Sequence, residues 1–341
     1  MTWWPAASSD AWSWSWQAFP AGWLFVASIG AAYVAALRGP GRRRTLLGEP
    51  AATRRQRVWF ALGILALWLA LDWPLGVLGG GYSLTARIVQ HLLIGFVAAP
   101  LLVLGLPEWM GAALVRPRRV RLVLDQLLRP WVASLLFDAA FLLAMVPGIV
   151  NRWQPSPFGS FAITMLWLGS ALLVWWPLIA PAGSYRRLSY LLVAPYLFTQ
   201  FLLPKIPATF YLFSSDSYYE VYRDAPRVWS GLSPAVDQQI AGGVIWLAGG
   251  GLVVAAIYMM MLRWRRDEQM QGVVRDLGLP ASPRAIGLLF EAPGAWEALQ
   301  RLAAITRATL EAIPADARFG LAFRPPDGLE PGSPEALRAA D

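Results

Sequence analysis

The chain has 341 residues, of which 57% are hydrophobic and 15% charged, with a formal net charge of +8. This composition is too apolar for a typical soluble domain and predicts a polytopic membrane protein, with the lipid bilayer as a partner. The absence of cysteine excludes disulfides and metal sites with thiolate ligands. The arginines lie in short loops between apolar segments, which indicates membrane topology and not nucleic-acid binding.

Residues 1–19 form an aromatic segment with five tryptophans and no basic residue. A secretory signal peptide would begin with a positively charged region, so we expect none here. Indole rings favour the interface between membrane and water. We expect this segment to lie at the outer headgroups.

Seven apolar segments follow, each about as long as the roughly 17–25 residues that a membrane helix needs. We call them spans 1 to 7: Pro20–Leu37, Val58–Leu78, Arg87–Leu106, Trp131–Ile149, Phe161–Ile179, Leu188–Phe213 and Ile240–Leu262. They predict an all-α fold in which residues 20–265 form a transmembrane domain of seven helices.

The loops predict the orientation. Those after spans 1, 3, 5 and 7 hold 17 arginines, including Arg186 and Arg187, and the opposite side holds four: Arg87, Arg152, Arg223 and Arg227. Basic loops stay in the cytoplasm. We therefore expect the N-terminus outside and the C-terminus in the cytoplasm. Residues 266–341 would form a cytoplasmic tail with one amphipathic helix at about 294–313, where apolar residues recur at helical spacing.

His91, the only histidine, lies inside span 3. An ionisable group within a membrane is costly, so it should face protein or water, and it is a functional candidate by default. The alternative is a histidine that only hydrogen-bonds a neighbouring helix. Arg87 lies four residues earlier, on the same helix face. The candidate metal ligands are His91 and, in span 4, Met145.

Counting about 1.5 Å of rise per residue places most other polar groups of the spans in the predicted outer half. This set comprises Asp72, Arg87, Gln90, Lys205, Asp237, Gln238 and Gln239. Structural alternatives exist: Lys205 can extend to the outer headgroups or pair with Asp72, and Asp72 can bond backbone groups freed by Pro74. In the inner half, Asp138 needs a partner, and near mid-membrane Gln200 is expected to bridge helices.

The longest outer loop is Ser214–Gln239, which contains Tyr218, Tyr219, Tyr222, Trp229 and four acidic residues. Its composition is typical of an interfacial aromatic belt with a solvated acidic face. The alternative is a surface for docking or for handling metal. From the sequence we favour the belt.

Four short motifs occur in a fixed order along the chain. They are Asp72-Trp73-Pro74-Leu75; Ala86–Leu93 followed by Ala99–Leu102 and Leu104–Pro107; Trp175-Trp176-Pro177; and Gly231–Ser233 followed by Asp237–Gly242. As an ordered set over roughly residues 20–265, they resemble the CtaG-type cytochrome c oxidase assembly proteins. The resemblance implies a seven-helix membrane protein that is needed to mature haem-copper oxidases in bacteria.

This chain departs from the family pattern at the histidines. The family usually has a second histidine one turn before His91, where this chain has Arg87, and it reads Trp-His-x-Pro where this chain has Ala144-Met145-Val146-Pro147. A histidine pair that normally precedes the fifth helix is absent from Phe158–Ile163. One imidazole with Met145 makes a poor copper site, and Arg87 would repel a cation.

The resemblance therefore implies a non-enzymatic assembly factor for a haem-copper cytochrome c oxidase in the bacterial inner membrane, with oxidase subunits as partners. It would aid copper-centre formation from the extracytoplasmic side. One alternative is a metal-free accessory or scaffold subunit of a respiratory complex. Another is a seven-helix transporter or retinal-type receptor, for which Lys205 is the only available lysine. An enzyme is least expected, because one histidine and scattered acids form no nucleophile–base set.

Overall fold

A computed structural model describes residues 3–7, 9–46, 50–180 and 188–276. Every regular element in these ranges is a helix, and no strand occurs among them. The helices are Pro20–Arg38, Pro40–Leu46, Arg54–Leu71, Leu75–Gly81, Leu84–Leu92, Leu93–Ala98, Ala99–Leu104, Glu108–Val115, Arg118–Leu127, Pro130–Met145, Pro147–Trp153, Pro157–Ile179, Tyr190–Leu202, Lys205–Phe213, Glu220–Arg223, Pro234–Val244, Ile245–Gly249 and Gly250–Asp276. The described residues up to Met260 form a first compact unit, and a second unit begins at Met261. The predicted tail helix at 294–313 and the loop arginines Arg186 and Arg187 lie outside the described residues.

Five helices of the described residues are long and apolar enough to cross a membrane, and the count reaches seven if each of two bent helix pairs is one span. This confirms the prediction of an all-α, multi-pass membrane protein. The five are Pro20–Leu46, Leu84–Leu104, Pro157–Ile179, Leu191–Phe213 and Pro234–Arg266. The pairs are Arg54–Leu71 with Leu75–Gly81, bent by 45°, and Arg118–Leu127 with Pro130–Met145, bent by 76°.

Span 4 differs from the prediction at its end. The helix stops at Met145, and a second helix, Pro147–Trp153, begins after Val146. Pro147 lacks a backbone N–H, and its ring disfavours helical geometry at the residue before it. The predicted span Trp131–Ile149 was therefore too long, because this proline interrupts it.

Span 3 is the central helix of the first unit. It packs against spans 2, 5 and 7. The fraction of buried residues in the most apolar part of each helix differs among the spans. This fraction is 56% in span 3 and 61% in span 5, but only 17% in span 1. Span 1 therefore lies at the periphery, and span 3 carries its polar side chains into the protein interior.

Spans 3 and 7 each contain a π-helical segment, Leu93–Ala98 and Ile245–Gly249. Such segments are rare and are frequent at functional sites. In span 3, the carbonyl oxygen of Gly95 accepts a 2.7 Å hydrogen bond from the Trp175 indole. In a membrane, backbone groups need partners within the protein, and a tryptophan of span 5 supplies one here.

The N-terminal segment packs on the helices. Trp4 is 2% exposed and contacts Phe161 edge to face, with ring centroids 5.1 Å apart. The Tyr82 hydroxyl donates to the carbonyl of Asp10 at 3.0 Å. Trp14 and Trp16 are 58% and 59% exposed. The segment thus has a buried anchor and two exposed indoles, the latter being the groups that suit a headgroup interface.

Candidate functional site

His91 is buried, with 2% of its surface exposed. Its ring centroid lies 5.3 Å from that of Trp167, and the Trp167 indole donates to the His91 carbonyl at 2.7 Å. Neither ring nitrogen of His91 has a hydrogen-bond partner among the described residues. The structure therefore fixes the backbone of His91 and leaves both polar atoms of its ring available.

Arg87 is also buried, at 1% exposure, and lies among three tyrosines that we call the tyrosine cluster: Tyr211, Tyr219 and Tyr222. Its guanidinium lies beside the Tyr222 side chain. The Tyr222 hydroxyl donates to the Gly79 carbonyl at 2.8 Å. Nε and Nη2 of Arg87 have no hydrogen-bond partner within the described ranges.

Met145 completes this cluster from span 4. Its sulfur lies 3.3 Å from the Tyr211 hydroxyl, and its carbonyl accepts a 2.6 Å hydrogen bond from Tyr219. The hydroxyls of Tyr211 and Tyr219 hydrogen-bond each other. Arg87 and Met145 are therefore neighbours of the same tyrosine cluster.

The phenols from the outer loop are neutral at physiological pH. Burial raises the pKa of Tyr222 to about 12, although the charge of Arg87 opposes the shift. Burial, and next the neighbouring Tyr211, raise the pKa of Tyr219. Neutral phenols offer hydrogen bonds and dipoles to the guanidinium, and no compensating charge.

The predicted metal ligands, His91 and Met145, have different neighbours in the structure. The ring of His91 stacks near Trp167, whereas the sulfur of Met145 contacts Tyr211. The described part of the chain contains no group of three or more His, Cys, Asp or Glu side chains placed to hold a metal ion. Copper prefers several imidazole or sulfur donors, and the nearby Arg87 charge repels cations. The residues present therefore do not fit a bound copper ion.

Asp237 stabilises the start of span 3. Its carboxylate accepts from the Ser83 hydroxyl at 2.9 Å and from the backbone N–H of Leu84 and Thr85 at 2.7 and 3.3 Å. These N–H groups belong to the first turn of the helix, which has no internal acceptors for them. A carboxylate here also complements the helix dipole. Asp237 thus links the start of span 7 to the start of span 3.

Three glutamines of the predicted polar set are structural links as well. The Gln90 amide donates to the Ala70 carbonyl at 2.8 Å, which joins spans 3 and 2. Gln238 accepts from the Tyr218 N–H at 2.8 Å, and Gln239 donates to the Ser214 carbonyl at 2.9 Å. The last two contacts hold the outer loop against the start of span 7.

Asp72 and Lys205 each contact a tryptophan, and no ion pair between the two occurs within the described ranges. Asp72 accepts a 2.9 Å hydrogen bond from the Trp23 indole of span 1. The Lys205 ammonium lies 3.8 Å from the ring centroid of Trp246 and 3.2 Å from its carbonyl oxygen. Only 9% of the surface of Lys205 is exposed. This burial argues against the alternative in which its side chain extends outward to the headgroups. A cation over an indole face is a favourable arrangement away from water.

The sequence prediction missed the tyrosines. Tyr219 and Tyr222 are 0% and 2% exposed, so the interpretation of this loop as an interfacial belt is wrong for them. Tyr218 and Trp229 do remain exposed, at 43% and 46%. The one available signal was Arg87, because a guanidinium inside a membrane helix requires acceptors from elsewhere in the chain.

A cavity of about 20 Å³ adjoins His91. Spans 3 to 7 contribute to its walls, which are mainly apolar and include Phe137, Trp167 and Ile245. Besides the indole of Trp167, the polar side chains that line it are His91 and Gln200. The Gln200 amide donates to the Ser134 hydroxyl at 2.7 Å, which confirms that it bridges spans 6 and 4.

Comparison with known proteins gives one match. A family model described as cytochrome c oxidase caa3 assembly factor (Caa3_CtaG) matches residues 31–267. No curated protein and no solved structure matches the chain. The matched region includes His91, the tyrosine cluster and every residue of the predicted polar set.

Proposed function

Because the chain belongs to the cytochrome c oxidase caa3 assembly factor family, we propose that it assists the maturation of a haem-copper oxidase without holding copper itself. It would act as a multi-pass protein of the bacterial inner membrane, with oxidase subunits as its partners. The family membership suggests a non-catalytic role. The contribution to the copper centre would then come through protein contact.

The observation that carries this proposal is the joint placement of Arg87 and Met145. Both contact the tyrosine cluster, and both stand where the resemblance places histidines. A guanidinium cannot ligate a metal, and the thioether of Met145 already contacts a hydroxyl. Direct metal transfer through this region is therefore disfavoured.

The ordered outer loop supports a role in protein contact. Gln238 and Gln239 hold its first part, and Arg227 donates to the carbonyl of Tyr222 at 2.9 Å. A loop held in this way presents its exposed side chains, Tyr218 and Trp229, with little entropy left to lose on binding. In the proposed orientation this loop lies on the extracytoplasmic side.

Deletion of the gene tests the assembly role. We expect the deletion strain to lose oxidase activity and oxidase-bound copper, and a plasmid copy of the gene to restore both. Total membrane copper and the amount of an unrelated respiratory enzyme serve as controls. Unchanged oxidase activity and copper in the deletion strain would reject the assembly role.

A stable accessory subunit is the second candidate, because the closed tyrosine cluster needs no exchange of metal. Purification in a mild detergent separates the two. A subunit would be recovered with the mature oxidase in a fixed ratio. An assembly factor would be recovered mainly with immature oxidase subunits, and it would be lost from the complex after maturation.

A further inference from the structure

Two buried polar groups face the same cavity without protein partners. Both ring nitrogens of His91 and Oε1 of Gln200 lack hydrogen-bond partners among the described residues. Each side chain is 2% exposed, and both line the cavity of about 20 Å³. A buried polar atom without a partner costs about 1–3 kcal/mol, so each group requires an occupant of the cavity to bond with.

The two π-helical segments meet at this cavity. Leu93–Ala98 contributes Phe96 to its wall, and Ile245–Gly249 contributes Ile245 and Gly249. A π segment widens a helix locally at a cost in hydrogen-bond geometry. Two such segments around one space are a second, independent sign that the space serves a purpose.

The size of the cavity limits what it can hold. A cavity needs roughly 10–15 Å³ for one water molecule, which also requires two or more polar partners. The volume of about 20 Å³ meets the first condition, and the His91 ring with the Gln200 oxygen meets the second. By this criterion the cavity has room for one water molecule.

We propose that this cavity is a hydration site, in which one water molecule bridges the His91 ring and Oε1 of Gln200. Water donates one hydrogen bond to the amide oxygen, and it exchanges the other with a ring nitrogen of the neutral imidazole. The site joins span 3 to span 6 through the water. It goes beyond the assembly function and does not depend on it.

The bridge extends a polar path into span 4. The Gln200 amide donates to Ser134 at 2.7 Å and lies beside the Asp138 side chain. Asp138 is 6% exposed, and its Oδ1 atom has no partner among the described residues. The water thus links His91 through Gln200 to the surroundings of Asp138, for which no partner was predicted from the sequence.

Radiolytic hydroxyl labelling of the full-length protein in detergent tests the site, because radicals form from bound water and oxidise the side chains beside it. We expect oxidation of Trp167, although it is 1% exposed, and none of Trp175, which is 5% exposed and does not line the cavity. The labelling of Trp167 should be lost in His91→Phe and Gln200→Leu and retained in Gln90→Leu, whose amide lies outside the cavity. An unlabelled Trp167 in the wild-type protein would overturn the proposal.

A double-mutant cycle on the apparent Tm provides the second readout. Residues that share one bridging water are coupled, so Tm of the double variant His91→Phe/Gln200→Leu should fall less than the sum of the two single shifts. The Gln200→Leu substitution removes the hydrogen bond to Ser134 whether or not His91 is also replaced, so the effect of losing this bond on Tm cancels in the cycle. Additive shifts would overturn the proposal.

Discussion

Several buried polar side chains of the described residues connect one helix to another. Asp237 accepts three hydrogen bonds at the start of span 3, Asp72 accepts one from span 1, and Gln90 donates one to span 2. Each contact satisfies a group that has no water to bond with in a membrane. His91 and Arg87 differ from these three residues, because they keep polar atoms without protein partners in the described residues.

Replacement of Asp237 should weaken the start of span 3. We expect Asp237→Ala to lower the free energy of unfolding by about 2 kcal/mol, because it leaves two backbone N–H groups and the Ser83 hydroxyl without their acceptor. Thermal unfolding in detergent measures the change. Asp216→Ala is the control, since the Asp216 side chain is exposed and its replacement should matter little. Equal unfolding temperatures for the two variants would contradict the capping role.

At the scale of helices, spans 2 and 3 approach each other closely at two glycines, where a larger side chain would not fit. A methyl group at Gly105 would lie 2.5–2.6 Å from the Cβ, Cα and N atoms of Phe60, and one at Gly63 would lie 2.9 Å from the backbone N of Leu102. Close approach through small residues is a common way for membrane helices to pack. The close fit of span 3 also depends on Gly95, against which Trp167 lies.

Gly105→Ala should therefore destabilise the contact between spans 2 and 3. The clash is with backbone atoms, which cannot move aside cheaply, so we expect a loss of about 1–3 kcal/mol and a lower yield of folded protein. Gly169→Ala is the matched control, because no atom lies within 4 Å of the added methyl group. Size-exclusion profiles and unfolding temperatures in detergent measure both variants. If Gly105→Ala is as stable as Gly169→Ala, the close approach of span 2 to span 3 at Gly105 is contradicted.

Helix boundaries were predicted well where apolar length decides them and poorly where proline does. The sequence placed span 5 at Phe161–Ile179, and the helix Pro157–Ile179 ends at the same residue. In span 4, Val146-Pro147 ended the helix early, which the proline itself could have indicated. The two π segments had no sequence signal, because their geometry depends on packing between helices.

At the scale of the whole molecule, composition and apolar length were enough to predict an all-α membrane protein. The environment of the candidate site was not predictable, because the contact of Met145 with Tyr211 and the proximity of Arg87 to Tyr222 join residues from different parts of the chain. The family match supports the oxidase context over residues 31–267. Orientation in the membrane remains a prediction from the arginine distribution.

Reporter fusions test that orientation. We expect alkaline phosphatase to be active when inserted after Gly231, in the outer loop, and inactive when fused after Arg266. A fluorescent protein fused after Arg266 should be bright, since it folds in the cytoplasm. The reverse pattern would place the outer loop, with its tyrosines, on the cytoplasmic side and would contradict contact with the oxidase from outside.

The central claim is that this family member works without a copper site of its own. The most direct measurement is the copper content and Cu(I) affinity of the purified protein beside its His91→Ala variant. We expect neither protein to retain copper after dialysis against a Cu(I) chelator, because one imidazole offers too few donors. Stoichiometric copper in the wild-type protein that is lost in His91→Ala would contradict the claim and would make His91 the anchor of a metal site.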